Sequence, residues 1–160
     1  MCIKPYAGHR AAGLLRGTGI HFGTVIGTPH GNSATDSKRR EAELACRDDA
    51  VGIDRVINLG KALSGDWAYV GQDVRAVCDG AHRHGAKLRM ILEKIYLTLG
   101  GAGLGSGDLK RKLRQGAGAD RLTTSSGYSF LNQPDGRYHC KGATERGLAL
   151  IHAGVSAGVR

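Results

Sequence analysis

An aspartate in the middle of an apolar run is the first residue here that invites a chemical reading. Asp54 stands within Ile53-Asp54-Arg55-Val56-Ile57-Asn58, and a carboxylate inside a strand is costly unless something pairs with it. An Asp–Arg pair serving structure alone is one reading; an acid that relays protons or orients substrate in a cavity is the other. Arg89, Ile91 and Glu93 fall at alternate positions of a strand-like segment and so share a face. Charges at such a strand end suit a polar barrel interior or a partly exposed edge strand. Thr123-Thr124-Ser125-Ser126-Gly127-Tyr128 is rich in hydroxyls; it offers donors to a phosphate or sugar, or forms a capped loop. His30-Gly31-Asn32 has turn chemistry, with no second histidine spaced for a metal.

The elements that must position these residues alternate along the chain. Pro5 to Arg16 reads as a helix with proline near its start. Ile20 to Ile26 is short, β-branched and glycine-bounded, a strand, and the loop from Gly27 to Ser33 follows. Thr35 to Asp49 returns to helical spacing. Val51 to Leu59 reads as a second strand, and Asp66 to His84 as a helix with Val70, Val74, Val77 and Ala81 on one stripe. Ala86 to Leu92 is a third strand, ending at Glu93-Lys94. A glycine-rich loop, Gly100 to Gly107, leads to a short basic helix, Asp108 to Gln115. Ala119 to Thr124 is a fourth, weaker strand, and Ala143 to Ala153 a last helix. Strand–helix alternation with short connections predicts an α/β protein with a parallel sheet. A doubly wound open sheet and a (β/α) barrel both satisfy it, with sites at the C-terminal strand ends in either case.

Composition narrows the class. Glycine is 26 of 160 residues, well above the usual ~7%, but no triplet repeat accompanies it and proline numbers only 3. No apolar run approaches the roughly 18 residues of a membrane span and no signal-peptide pattern opens the chain, which predicts a cytoplasmic protein. Cys2, Cys46, Cys78 and Cys140 lie far apart without a CxxC, as reduced thiols do. The formal charge is +9. Its clusters, Lys38-Arg39-Arg40 and Lys110-Arg111-Lys112-Arg114, read as solvated faces of surface helices. Nucleic-acid binding lacks an aromatic stacking platform or a DNA-reading motif; phosphorylated metabolites fit the charge as well.

Met1-Cys2-Ile3-Lys4-Pro5, Gly23-Thr24-Val25-Ile26-Gly27-Thr28-Pro29-His30-Gly31-Asn32, Ile53 to Asn58, and Gly60-Lys61-Ala62-Leu63-Ser64-Gly65-Asp66-Trp67 resemble segments of deoxyribose-phosphate aldolase in the same order. So do Leu92-Glu93, Gly118-Ala119-Asp120, Ser125 and Gly127. The resemblance covers nearly the whole chain. It implies a (β/α)₈ barrel and a metal-free, cofactor-free lysine Schiff-base enzyme, a carbon–carbon lyase. Such enzymes split 2-deoxy-D-ribose 5-phosphate into glyceraldehyde 3-phosphate and acetaldehyde in deoxyribonucleotide catabolism. It also implies that Asp54 holds the proton-shuttling position, and that Cys2, Arg89 and Ser125 lie near substrate.

The departures matter more. The family's Schiff-base strand resembles Gly-Ala-Asp-(two residues)-Lys-Thr-Ser-Thr-Gly, and here Thr123 holds the lysine position. A hydroxyl cannot form an imine with an aldehyde. A lysine usual on the preceding strand is Arg89, cationic but not nucleophilic. The second catalytic lysine has no clear counterpart before Gly158-Val159-Arg160. The amines of Lys38, Lys94 and Lys141 remain, and none of the three holds a family position; Lys94, beside Glu93, is the nearest substitute.

A whole barrel needs ~250 residues, and four strands are legible. The expectation is therefore one domain, residues 1–160, forming a partial TIM barrel that is not closed and lacks the opening and closing strands. Its open edges could pair with a second copy. The function expected is that of an aldolase relative with little or no turnover, its partner a small phosphorylated sugar. The rivals are a non-catalytic fragment and a basic module binding phosphate or nucleic acid.

Overall fold

The computed structural model describes residues 1–99, 118–132, 134–140, 142–145 and 148–149. Its frame is a five-stranded sheet in the order β1 (Cys2–Ile3), β2 (Gly23–Ile26), β3 (Gly52–Val56), β4 (Lys87–Ile91) and β5 (Arg121–Thr123). Every neighbouring pair is parallel. The sheet does not close among the described residues; β1 and β5 are its ends. The α/β class, the partial-barrel architecture and the four expected strands are present. The opening strand, expected to be lacking, is also there as two residues, too short to show an alternation in sequence.

Several boundaries move. The first helical segment is a 3₁₀ turn, Pro5–Ala7, followed by α1, Gly8–Leu15. The strand expected through Leu59 stops at Val56, because Asn58 turns the chain: its side chain accepts from the Lys61 amide and caps α3, Leu59–Leu63. Asp66 does the same for α4, Trp67–Arg83, accepting from the Tyr69 amide at 3.1 Å. A short helix, α5 (Lys94–Leu99), follows β4. An antiparallel hairpin, β6 (Phe130–Asn132) with β7 (Tyr138–Cys140), was not foreseen. The glycine-rich loop and the basic helix 108–115 lie outside the described residues, as do Lys141 and most of the last helix.

The helices α2 (Thr35–Arg47) and α4 cover one face of the sheet. Ile26, Ile53, Leu88 and Met90 from the strands and Ala42, Val70, Val74 and Val77 from the helices are buried together there. Each of the Val, Ile, Leu and Met side chains contributes about 1.5–3 kcal/mol by leaving water. The loop after β2 is drawn tightly under the end of β3. Gly31 has φ +64°, and a Cβ there would sit 2.1 Å from the Ile57 carbonyl oxygen, so no other residue fits this approach.

The covered face also holds charge. Lys38, read in sequence as part of a solvated basic face, is fully enclosed. Its Nζ donates to Asp73 Oδ2 at 2.7 Å and to the Gly31 carbonyl at 2.8 Å. Arg55 enters from β3, donating to the same carboxylate and, at 2.9 Å, to the Asp73 carbonyl. Thr35 Oγ1 donates to Asp73 Oδ1 at 2.7 Å. Burial alone would raise the Asp73 carboxyl, but Arg55, Lys38 and Thr35 hold it below its usual range. Burial pushes the Lys38 amine down. The two cations and one anion tie α2, α4, β3 and the loop bearing Gly31 together.

Candidate active-site face

Strand alternation sends Arg55 to the helices and Asp54 to the opposite face. The partner that sequence suggested for Asp54, its neighbour Arg55, is therefore the wrong arginine. Arg89, directly across the ladder on β4, donates from Nη1 to Asp54 Oδ2 at 3.0 Å. The Asp54 side chain is only 14% exposed. Burial pushes its carboxyl up, and Arg89, Cys2 and Arg121 pull it back without cancelling the rise. Cys2 Sγ approaches the same oxygen at 3.9 Å; burial and the nearby carboxylate raise its thiol pKa.

In-register pairing continues the row: Val25, Asp54, Arg89 and Arg121 are successive partners across β2 to β5. One step toward the C-terminal strand ends, Ile91 pairs with Thr123. A cavity of about 790 Å³ opens on this face, and Cys2, Asp54, Arg89, Thr123 and Ser125 all line it. The five positions singled out in the sequence are thus brought to one concavity. Pro5, Tyr6, Thr28, Pro29 and Tyr128 form much of its remaining wall.

Glu93 does not join them. It leaves the strand at φ +44°, a left-handed conformation that costs a non-glycine residue about 1–3 kcal/mol, and is 1% exposed. Its carboxylate accepts from Ser125 Oγ at 2.8 Å, from the Ser126 amide at 2.9 Å and from Ser129 Oγ. Burial works against ionisation, yet the hydrogen bonds from Ser126, Ser129 and Ser125 hold the carboxyl below its usual range. Instead of pairing with Arg89, Glu93 anchors the segment after Thr123. Sequence reasoning saw the hydroxyls of 123–128 as ligand donors or a capped loop; Ser125 and Ser126 from that segment, with Ser129 just beyond it, hold Glu93. Lys94 opens α5 and is not among the cavity's lining residues.

A second charged cluster secures the other end of β5. Asp120 Oδ2 accepts from His82 Nε2 and from the Leu88 amide, each at 2.8 Å. Cys78 Sγ donates to the Gly118 carbonyl at 2.7 Å, and burial with Asp120 nearby pushes its thiol up to about 12. Glu93 and Asp120 therefore pin both ends of the short strand that presents Thr123.

An electrophile entering the concavity meets a carboxyl with a raised pKa, a guanidinium and hydroxyls. The arrangement can hold polar groups and move a proton. Among the described residues lining it, Lys4 is the one primary amine of a side chain. No group of three or more His, Cys, Asp or Glu able to hold a metal occurs among the described residues. No helix among them is long and apolar enough to cross a membrane.

Comparison with known proteins is consistent in direction. The chain is 38% identical over 131 residues to the deoxyribose-phosphate aldolase of Aciduliprofundum boonei, covering 80% of this chain and 55% of the relative. It is 35% identical over 159 residues to that of Brevibacillus brevis, covering 99% of this chain and 64% of the relative. The chain thus spans between half and two thirds of these relatives. No family model matches. Among solved structures, an aldolase designated QR15 superposes with a TM-score of 0.79 at 25% identity, covering 99% of this chain and 63% of that one. The tetrameric deoxyribose phosphate aldolase of Aeropyrum pernix gives 0.66 at 26% identity over 79% of this chain and 50% of that one.

Proposed function

We propose that this chain, a divergent homologue of the deoxyribose-phosphate aldolase family, binds a small phosphorylated sugar at the Asp54–Arg89 face without forming the covalent imine of its relatives. The observation behind this reading is Thr123. It lines the same cavity as Asp54 and Arg89 and is paired in register with Ile91. By the sequence resemblance this position corresponds, in our reading, to the family's nucleophilic lysine, and a hydroxyl has no route to an iminium electron sink.

What remains supports recognition. Arg89 offers donors to a sugar hydroxyl or aldehyde oxygen while keeping Asp54 in place. Asp54, with its pKa raised by burial, is suited to exchange a proton with a bound hydroxyl. Ser125 and Ser126 border the same space. Carbon–carbon cleavage is accordingly absent or severely reduced. The protein acts in the cytoplasm, and copies associate through the sheet ends β1 and β5, which pair with no further strand among the described residues.

Borohydride reduction in the presence of acetaldehyde, followed by peptide mass spectrometry, tests the reading. The expected result is no ethylated lysine, together with saturable binding of 2-deoxyribose 5-phosphate by calorimetry. An ethylated lysine facing the cavity overturns it.

A further inference from the structure

The row Asp54–Arg89–Arg121 carries one carboxylate for two guanidiniums on adjacent strands. Like charges directly opposite each other on one sheet face repel. Asp54 pairs with Arg89; the Arg121 side chain makes no hydrogen bond or ion pair among the described residues, although its field reaches Asp54. Lys87 lies two residues before Arg89 and so shares its face. It likewise has no ion pair among the described residues.

These cations border a second cavity, of about 400 Å³, toward the N-terminal ends of the strands. It meets the first cavity at the Asp54–Arg89 pair, which lines both. Part of its lining carries no side chain. Gly23 and Gly52 are cross-strand partners, and a Cβ on Gly23 would lie 2.7 Å from the Gly52 carbonyl oxygen. The space beside the cations is therefore kept open by a backbone contact that excludes any larger residue at 23.

We infer that this N-terminal cavity binds a phosphate group, free or carried on a small ester, between Arg121, Lys87 and the outer edge of the Arg89 guanidinium. Among the lining side chains three are positive and Asp54 is the single carboxylate; the Met1 ammonium lines the cavity as well, and Asp120 feels the Lys87 charge from outside it, so the space is net positive, as a phosphate anion requires. Arginine presents several donors in a planar fork that matches phosphate oxygens, and lysine adds a point charge. Bound phosphate also relieves the repulsion between Arg89 and Arg121. The inference does not rest on the proposed sugar-phosphate function, because the cavity lies at the opposite strand ends from Thr123 and needs no chemistry there.

Calorimetric titration of the full chain with inorganic phosphate, at constant ionic strength in chloride, tests it. A parallel titration with glycerol 3-phosphate separates free phosphate from an ester. Saturable binding is expected, weakened tenfold or more by Arg121→Gln and unchanged by Arg137→Gln, which removes the same charge from an exposed site elsewhere. Arg121→Gln removes a repulsion and should fold; circular dichroism checks this, and Lys87→Gln provides the second variant. Binding of inorganic phosphate but not the ester assigns the site to free phosphate, and binding of both admits esters. Failure of both to saturate, or equal weakening by Arg137→Gln, overturns the inference. A lysine adduct in the borohydride experiment would leave this result untouched.

Discussion

The ammonium of Lys38 and the carboxylate of Asp73 meet at 2.7 Å with both side chains sealed from solvent. Removing one partner of a buried ion pair leaves an uncompensated charge, at a cost of about 3–5 kcal/mol. Asp73→Ala strands two cations, Lys38 and Arg55, and is expected to lower the unfolding free energy by that order, read from urea denaturation, or to abolish folding. Lys38→Met leaves Arg55 to neutralise Asp73 and is expected to be milder. Equal effects of the two changes would show that Arg55 does not compensate.

The same carboxylate sets an acid limit. Asp73 has a depressed pKa in the folded chain, so the unfolded chain binds more protons between the depressed and the ordinary value. Its contribution is fully present above the ordinary carboxylate range and is lost as pH falls through the folded value. Denaturant midpoints measured from neutral pH into strong acid should decline for the parent and decline less for Asp73→Asn, if that variant folds.

Asp54 has the opposite sign. Its pKa is raised in the fold, so its contribution is present in acid and lost as pH rises through the folded value. Asp54→Asn is expected to stabilise the protein at neutral pH, and to match the parent in acid. Thermal midpoints at several pH values check this. A lower midpoint for the variant at pH 7 would mean that the Arg89 pair outweighs the burial of the carboxylate.

Thr123→Lys tests whether the strand still points at a usable concavity. An amine there shares the face that bears Arg89, and nearby positive charge lowers its pKa toward the free form. Acetaldehyde with borohydride should then ethylate position 123 in the variant, with peptide mapping as the readout. Absence of that adduct in a folded variant would place the side chain out of reach of the cavity.

Thiol chemistry should discriminate sharply. Cys78 is 1% exposed and its thiol is pushed up to about 12, whereas Cys2 is exposed. A thiolate is the reactive form and needs access. Disulfide-exchange reagents should modify Cys2 in the native protein and reach Cys78 only after denaturation. Early labelling of Cys78 would contradict its enclosure.

The alternation of strands and helices was legible because β-branched runs and the valine stripe of α4 each have a clear period. Asp54 was legible because a charge interrupts an apolar run. Its partner was not, since ladder pairing across β3 and β4 is a tertiary fact and Arg55 was adjacent in sequence. Lys38 was hidden by Arg39 and Arg40, which make the triplet look like a wet helix face. The signal that could have exposed it was Asp73, a carboxylate inside the Val70–Val74–Val77 stripe, with Arg55 mid-strand as a further unpaired charge. The hairpin after Ser129 escaped because its strands are three residues each and lack strong alternation.

Gly31 bears on how inheritance is read in this lineage. Even a methyl group there would collide with the Ile57 carbonyl, so selection for mere solubility would preserve it as strictly as selection for turnover. A descendant could shed its chemistry and still pass this glycine on unchanged. A glycine that the backbone itself demands says nothing about turnover; evidence of a working enzyme must be sought at positions such as 123, whose residue lines the concavity.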